Sequence, residues 1–188
     1  MKKFYFIFII FIISTEAKAL KLTKYNINLN YPWGMTWINS DKLLITEKKS
    51  YQIILFDTVN NVFTNIEHSI PVQGREQGGL LDIISEGDNI WITCSIKKNF
   101  GYTTAVYKAR LKNNKLINSK LIFEALPYIT NGRHFGSRLE IKGDNLFVSI
   151  GERGKGMIAQ DPTNAIGSII RIKKDGTIPD DNPYINNN

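Results

Sequence analysis

Cysteine is almost missing from this chain: among 188 residues only Cys94 carries a thiol, so no disulfide can form within it and the fold must rest on burial and hydrogen bonding. Cys94 lies in the apolar run Ile90-Trp91-Ile92-Thr93-Cys94-Ser95, with no neighbour to lower its pKa, and reads as a buried, inert thiol. Histidine is scarce as well. His68 and His134 are the two, and neither belongs to a His/Cys/Asp cluster that could hold a metal. Serine or cysteine nucleophile signatures are missing, and no 3.6-residue apolar stripe follows the N-terminal segment. Cations are not scarce, with 24 Lys and Arg against 17 Asp and Glu and a formal charge of +7. They are scattered among the acids, however, and do not form the basic groove with aromatic platforms that nucleic-acid binding requires.

Long hydrophobic runs are confined to the beginning. Lys2 and Lys3 precede an unbroken apolar run from Phe4 to Ile13, and Ala17-Lys18-Ala19 has the small-x-small form of a cleavage site. Residues 1–19 therefore read as a removable secretory signal, which implies a periplasmic or secreted protein. Ten apolar residues are too few to span a bilayer core of about 30 Å as a helix, so an uncleaved anchor is the lesser reading. Residues 20–188 are enough for one domain with a sizeable core.

What remains is β-patterned throughout: short runs of Ile, Leu, Val, Phe, Tyr and Thr broken by Gly, Asn and Asp. One unit recurs, a tight polar turn followed by an apolar strand ending in Thr or Ser. It appears as Ser40-Asp41-Lys42-Leu43-Leu44-Ile45-Thr46, as Gly87-Asp88-Asn89-Ile90-Trp91-Ile92-Thr93 and as Gly143-Asp144-Asn145-Leu146-Phe147-Val148-Ser149. The turn aspartates are 47 and 56 residues apart, a spacing that fits four-stranded propeller blades rather than the hairpins of a sandwich. In such a fold the starts of the first strands ring the mouth of a central channel, the usual place for a ligand.

Counting back from each turn puts Trp33, Gln77 and His134 at those starts, and counting forward from Asp144 returns Glu152 to the Arg133–Gly136 end of its hairpin. A carboxylate beside an imidazole orients the ring, as a general base requires. Spacing alone leaves a hydrogen-bonding strut as the commoner role for a histidine in a glycine-flanked turn. Gly78-Gly79 can be a bulge. Gly151-Glu152-Arg153-Gly154 resembles a phosphate loop only faintly, since no helical pattern follows it. His68 has no constellation around it and reads as surface.

Five ordered blocks resemble the soluble pyrroloquinoline quinone (PQQ)-dependent glucose/sorbosone dehydrogenases, most closely their aldose sugar dehydrogenase branch. They are Pro32-Trp33-Gly34-Met35 with Leu44-Ile45-Thr46-Glu47; Glu76-Gln77-Gly78-Gly79-Leu80-Leu81-Asp82; Gly132-Arg133-His134-Phe135-Gly136-Ser137-Arg138-Leu139; Leu146-Phe147-Val148-Ser149-Ile150-Gly151-Glu152; and Ala159-Gln160-Asp161 through Ile178-Pro179-Asp180-Asp181-Asn182-Pro183-Tyr184. The resemblance implies an all-β, six-bladed propeller that oxidises the C1 hydroxyl of an aldose and passes the electrons to PQQ. It also assigns His134 as the base, Glu152 as the carboxylate that supports it, and Gln77 as the glutamine near quinone and substrate.

The departures carry expectations of their own. Arg133 stands where the family more often has a smaller polar or acidic residue, so sugar preference is expected to differ. The segment Ser85–Lys98 lacks the family's histidine-proline-aspartate stretch. The family's Arg-Asn-Pro block, its lysine and arginine clamps on PQQ and its calcium ligands are not found in the sequence. Six blades of roughly 50 residues need about 300, so about three blades are expected here, as a truncated or split member of the family. Such a chain is expected to hold PQQ weakly by itself, and to depend on a second polypeptide or on self-association to cover its open faces. The readings that follow are an aldose-oxidising PQQ enzyme, a fragment without turnover, and a secreted module that binds a sugar or a protein.

Overall fold

The computed structural model of the chain describes residues 20 and 22–184; the candidate export signal, residues 1–19, lies outside the described residues. Eleven strands are formed among them: β1 (Pro32–Trp37), β2 (Lys42–Glu47), β3 (Ile53–Asp57), β4 (Val62–Ile66), β5 (Leu80–Glu86), β6 (Asn89–Lys98), β7 (Gly101–Lys112), β8 (Lys115–Glu124), β9 (Gly136–Lys142), β10 (Asn145–Ile150) and β11 (Ile169–Lys173). They make three antiparallel sheets, β1-β2-β3-β4, β5-β6-β7-β8 and β9-β10-β11, each a meander in chain order.

The recurrent turn drives this arrangement. Glu86 pairs with Asn89 and Lys142 with Asn145, leaving the two-residue turns Gly87-Asp88 and Gly143-Asp144. Both glycines sit at φ +57°, the conformation that tight hairpins demand and that side chains resist. In the first sheet the same step is made by Asn39, whose Oδ1 accepts from the amides of Asp41 (2.9 Å) and Lys42 (2.8 Å).

Burial alternates along β9 and β10, whereas β3, β5, β6 and β7 are buried on both faces because alternate side chains enter different apolar layers. One apolar layer, with Leu44, Ile53, Leu80, Ile90, Ile92 and Cys94 at its centre, fills the seam between the first two sheets. A second, built on Trp91, Val106, Leu139, Leu146, Val148 and Ile172, fills the seam between the second and third. Cys94 lies in the first seam, where burial pushes its thiol up to about 12, in accord with the inert role expected. The first strands come together, β1 beside β5 and β5 beside β9, so the sheets fan from a common inner edge.

A single device stitches that edge, and it uses the Thr/Ser that closes each repeat. Thr46 Oγ1 accepts the Gly34 amide at 2.9 Å and donates to the Leu81 carbonyl of the next sheet. Thr93 Oγ1 accepts the Asp82 amide at 2.8 Å and donates to the Ser137 carbonyl of the next sheet at 3.0 Å. Ser149 Oγ accepts the Arg138 amide at 2.9 Å in the third sheet. All three first hairpins shift register at this point, between Pro32 and Met35, Leu80 and Ile83, and Val148 and Ile150. The bulge turns an inner-strand amide away from the ladder, and the hydroxyl satisfies it. In the second sheet the bulge thus lies just after Gly78-Gly79, not at the glycine pair.

Candidate active site

The segments that lead into β5 and β9 lie against each other at one end of the fan. Gln77 donates its amide to the Gly132 carbonyl (2.9 Å), and its side-chain Oε1 accepts the amide of His134 at 2.9 Å. Gly132 fits because a side chain there would strike the Arg75 carbonyl. His134 is held at φ +49°, a conformation costing a non-glycine residue on the order of 1 kcal/mol. Just past the return strand of the same hairpin, Gly151 passes so close that a Cβ would overlap the His134 carbonyl. Glu152 follows at once, its Oε1 against Nδ1 of the imidazole.

That contact decides the state of the ring. Hydrogen bonding from His134 is the main cause that holds the Glu152 carboxyl below its ordinary range, with help from the Gly154 amide at 3.1 Å. An ionised carboxylate can only accept, so Nδ1 is the donor in this contact, and in the neutral ring the lone pair lies on Nε2. The side chains of His134 and Glu152 are 48% and 31% exposed, which leaves Nε2 open to a ligand. Gln77 Oε1 is engaged by the His134 amide, and its amide nitrogen has no protein acceptor among the described residues. An arrangement of this kind can take a proton from a bound hydroxyl and hold that hydroxyl in place.

The surroundings are cationic. Lys48 lies 3.9 Å over the Trp33 ring and its carbonyl accepts the Leu80 amide, so Lys48 links Trp33 to the segment that leads into β5. Lys49 Nζ donates to the Glu76 carbonyl (2.6 Å), and the Glu76 carboxylate is flanked by Arg75 (3.6 Å) and Arg133 (3.2 Å). Lys49, Arg75 and Arg133 thus gather around the one residue Glu76, and this local positive charge suits an anionic ligand. No group of three or more His, Cys, Asp or Glu is placed to hold a metal among the described residues.

His68 differs from the expectation. It is half-buried, with Nε2 2.8 Å from the Tyr51 carbonyl and Nδ1 accepting the Ile70 amide, so it is a strut joining two loops rather than free surface. A short 3-10 turn, Gly156–Gln160, does follow the Gly151–Gly154 segment, but it buries no residue and carries no side-chain cap. Two residues were not singled out from sequence. Asp82, 2% exposed, joins the second and third sheets by accepting the Leu139 amide (2.7 Å) and the Arg138 guanidinium (2.9 Å). Arg153, fully buried, underlies the His134 loop. A charged residue inside an apolar β-pattern was the one signal available for Asp82; nothing distinguished Arg153 from a surface arginine.

The fold is that of part of a propeller, and residues 29–188 match the Glucose / Sorbosone dehydrogenase family. The chain belongs to that family. It is 31% identical over 198 residues to an uncharacterised protein of Synechocystis, covering 93% of this chain and 48% of that one. With the aldose sugar dehydrogenase YliI of Escherichia coli it shares 28% identity, across 84% of this chain and 45% of the relative. The chain thus spans about half the length of the curated relatives it matches. The apo structure of the soluble E. coli aldose sugar dehydrogenase superposes with a TM-score of 0.77 at 29% identity, over 84% of this chain and 48% of that one. The PQQ-bound aldose sugar dehydrogenase of Streptomyces coelicolor superposes with 0.78 at 21% identity, over 87% and 51%, a likeness of fold. The three sheets thus correspond to about half of a six-bladed propeller dehydrogenase.

Proposed function

We propose that this protein serves PQQ-dependent oxidation of an aldose at its C1 hydroxyl, in the periplasm or outside the cell. The observation that carries the reading is the His134–Glu152 pair with Gln77 at one mouth, in a member of a sugar dehydrogenase family. The donors present fit one side of the group, in keeping with weak binding by this chain alone. Gln77 offers amide hydrogens, and Lys49, Arg75 and Arg133 offer positive charge to an anionic quinone. PQQ, when bound, supplies the two-electron acceptor for the C1 hydride.

The chain's own part is acid–base and positional. Nε2 of His134 takes the proton of the C1 hydroxyl while the C–H electron pair leaves C1, which becomes a carbonyl. Charge developing on the imidazolium is met by Glu152 through Nδ1–H. Gln77 sets the height of the base by holding its backbone amide, and its free amide hydrogens are suited to the substrate or quinone oxygens. Since the matched relatives are about twice as long, the remaining walls of the channel belong to structure beyond the described residues, and a second polypeptide or a second copy could supply them.

The test is dye reduction by the exported protein supplied with PQQ, calcium and a panel of aldoses. Once a second polypeptide or a second copy completes the channel, aldose-dependent turnover is expected, with His134→Ala lowering it by about 10²- to 10⁴-fold while PQQ still binds, and Gln77→Ala weakening it less. His134→Ala protein that keeps most of its turnover would refute the assignment of the base. Sugar binding without PQQ-dependent dye reduction would instead support a binding module.

A further inference from the structure

The segment Gly151-Glu152-Arg153-Gly154 contributes Glu152 to the mouth, but its most unusual member points the other way. Arg153 is fully buried, one of the two largest side chains so enclosed. Among the described residues no carboxylate forms an ion pair with it. Burial lowers its pKa to about 10, with the neighbouring charge of Glu152 opposing the shift, so it remains a cation at neutral pH. Burying a charge without a counter-ion is costly, and a chain tolerates it only where the charge's hydrogen bonds do something no neutral side chain can.

Here they clasp one loop. Nε donates to the carbonyl of Arg133 (2.8 Å), Nη2 to that of Asn131 (2.8 Å) and Nη1 to that of Tyr102 at the start of β7 (2.9 Å). The guanidinium plane lies 3.6 Å over the Phe135 ring. Phe135 is itself buried, with its carbonyl accepting Thr104 Oγ1 at 2.7 Å. Asn131 completes the clasp by donating its side-chain amide to the carbonyl of Arg153. Residues on both sides of His134 are therefore tied to one planar, five-donor fork. Residues 131–135 belong to no strand, so the guanidinium does for this loop what ladder bonds do for a strand.

We infer that Arg153 is a positioning residue: its buried guanidinium fixes the His134 loop so that Nδ1 meets Glu152 and Nε2 stays free for a ligand. It touches neither substrate nor cofactor. The inference rests on the reading of His134 as the base, yet its main readout needs no cofactor.

Arg153→Lys is the first variant, because it keeps the buried charge but cannot donate to three carbonyls in one plane. Long-range ¹H–¹⁵N spectra of the imidazole are expected to show one tautomer for His134 in the wild type and an averaged pattern in the variant, at temperatures where circular dichroism shows both folded. In PQQ-supplied protein, kcat should drop by about tenfold or more with KM changed much less, since small displacements of a reacting group act on the chemical step. Should Arg153→Lys fail to fold, Asn131→Ala, which keeps the guanidinium but removes the side-chain bond to the Arg153 carbonyl and the acceptor of the Arg133 amide, is expected to move both readouts in the same direction. A folded variant with the wild-type tautomer pattern overturns the inference. A wild type without dye reduction overturns the enzymatic reading alone, since the imidazole spectrum is recorded without cofactor.

Discussion

The seams between sheets and the mouth at the end of the fan are built from similar groups put to opposite uses, and Asp82 and Glu152 show this most clearly. Asp82 is closed off in the seam between the second and third sheets. Desolvation is the largest influence on it and raises its pKa, although the Leu139 amide and Arg138 pull the other way. Glu152 stands at the mouth, where the hydrogen bond from His134 dominates and lowers its pKa. The first joins two strands. The second orients a ring while leaving that ring reachable. Burial separates the two: a carboxylate held by a backbone amide and a neighbouring strand becomes a structural joint, and one that shares a solvent-facing imidazole is available for the proton transfer proposed for His134.

Mutations should separate the two regions, and any crossover would break the comparison. The largest effect is expected at the mouth after His134 itself: Glu152→Gln should lower kcat for dye reduction by about ten- to a hundredfold while leaving the melting temperature within about 2 °C, since an exposed pair adds little stability. A large drop in melting temperature would show that Glu152 is a joint as well. Asp82→Ala should do the reverse. It strands the buried Leu139 amide, costing about 2 kcal/mol in urea unfolding. Thr93→Val, nearly isosteric, leaves the Asp82 amide without its acceptor and removes one stitch between sheets, with an expected cost of about 1 kcal/mol. Unfolding midpoints equal to the wild type's would show that the repeated hydroxyl is dispensable.

The smallest and sharpest contrast is in pH. Glu152 has a folded pKa below its ordinary 4.5, so the native state releases its proton more readily than the unfolded chain. Its contribution is present above 4.5 and lost as pH falls through the folded value. Asp82 has a folded pKa above its ordinary 3.8, so its contribution is complete below 3.8 and is lost as pH rises through the folded value. Melting curves from pH 3 upward should therefore show the wild type's margin over Glu152→Gln growing with pH, and its margin over Asp82→Asn shrinking. Parallel profiles would erase the distinction between joint and reactive pair.

Repetition explains how far the sequence could be read. Three turns with the same Gly/Ser-Asp lead and the same terminal hydroxyl revealed three blades, and the distances from those turns brought Trp33, Gln77, His134 and Glu152 to one end. The family resemblance then attached roles to three of them. The residues that escaped notice, Asp82 and Arg153, do not repeat in kind: the places that match Asp82 in the other sheets hold Gly34 and Arg138. Their importance lies in being enclosed, and enclosure depends on how whole sheets pack. His68 escaped because one of its partners, the Tyr51 carbonyl, lies 17 residues away, although the other, the Ile70 amide, is local.

By itself, the order of residues determined the β-period, the turn positions and hence the fan of sheets, because glycine at positive φ and alternating apolar side chains act over a few residues. The tertiary structure alone decided which charges would be buried and which imidazole nitrogen would carry the proton. Those outcomes depend on solvent exclusion and on hydrogen bonds between segments far apart in the chain, and no local pattern encodes either.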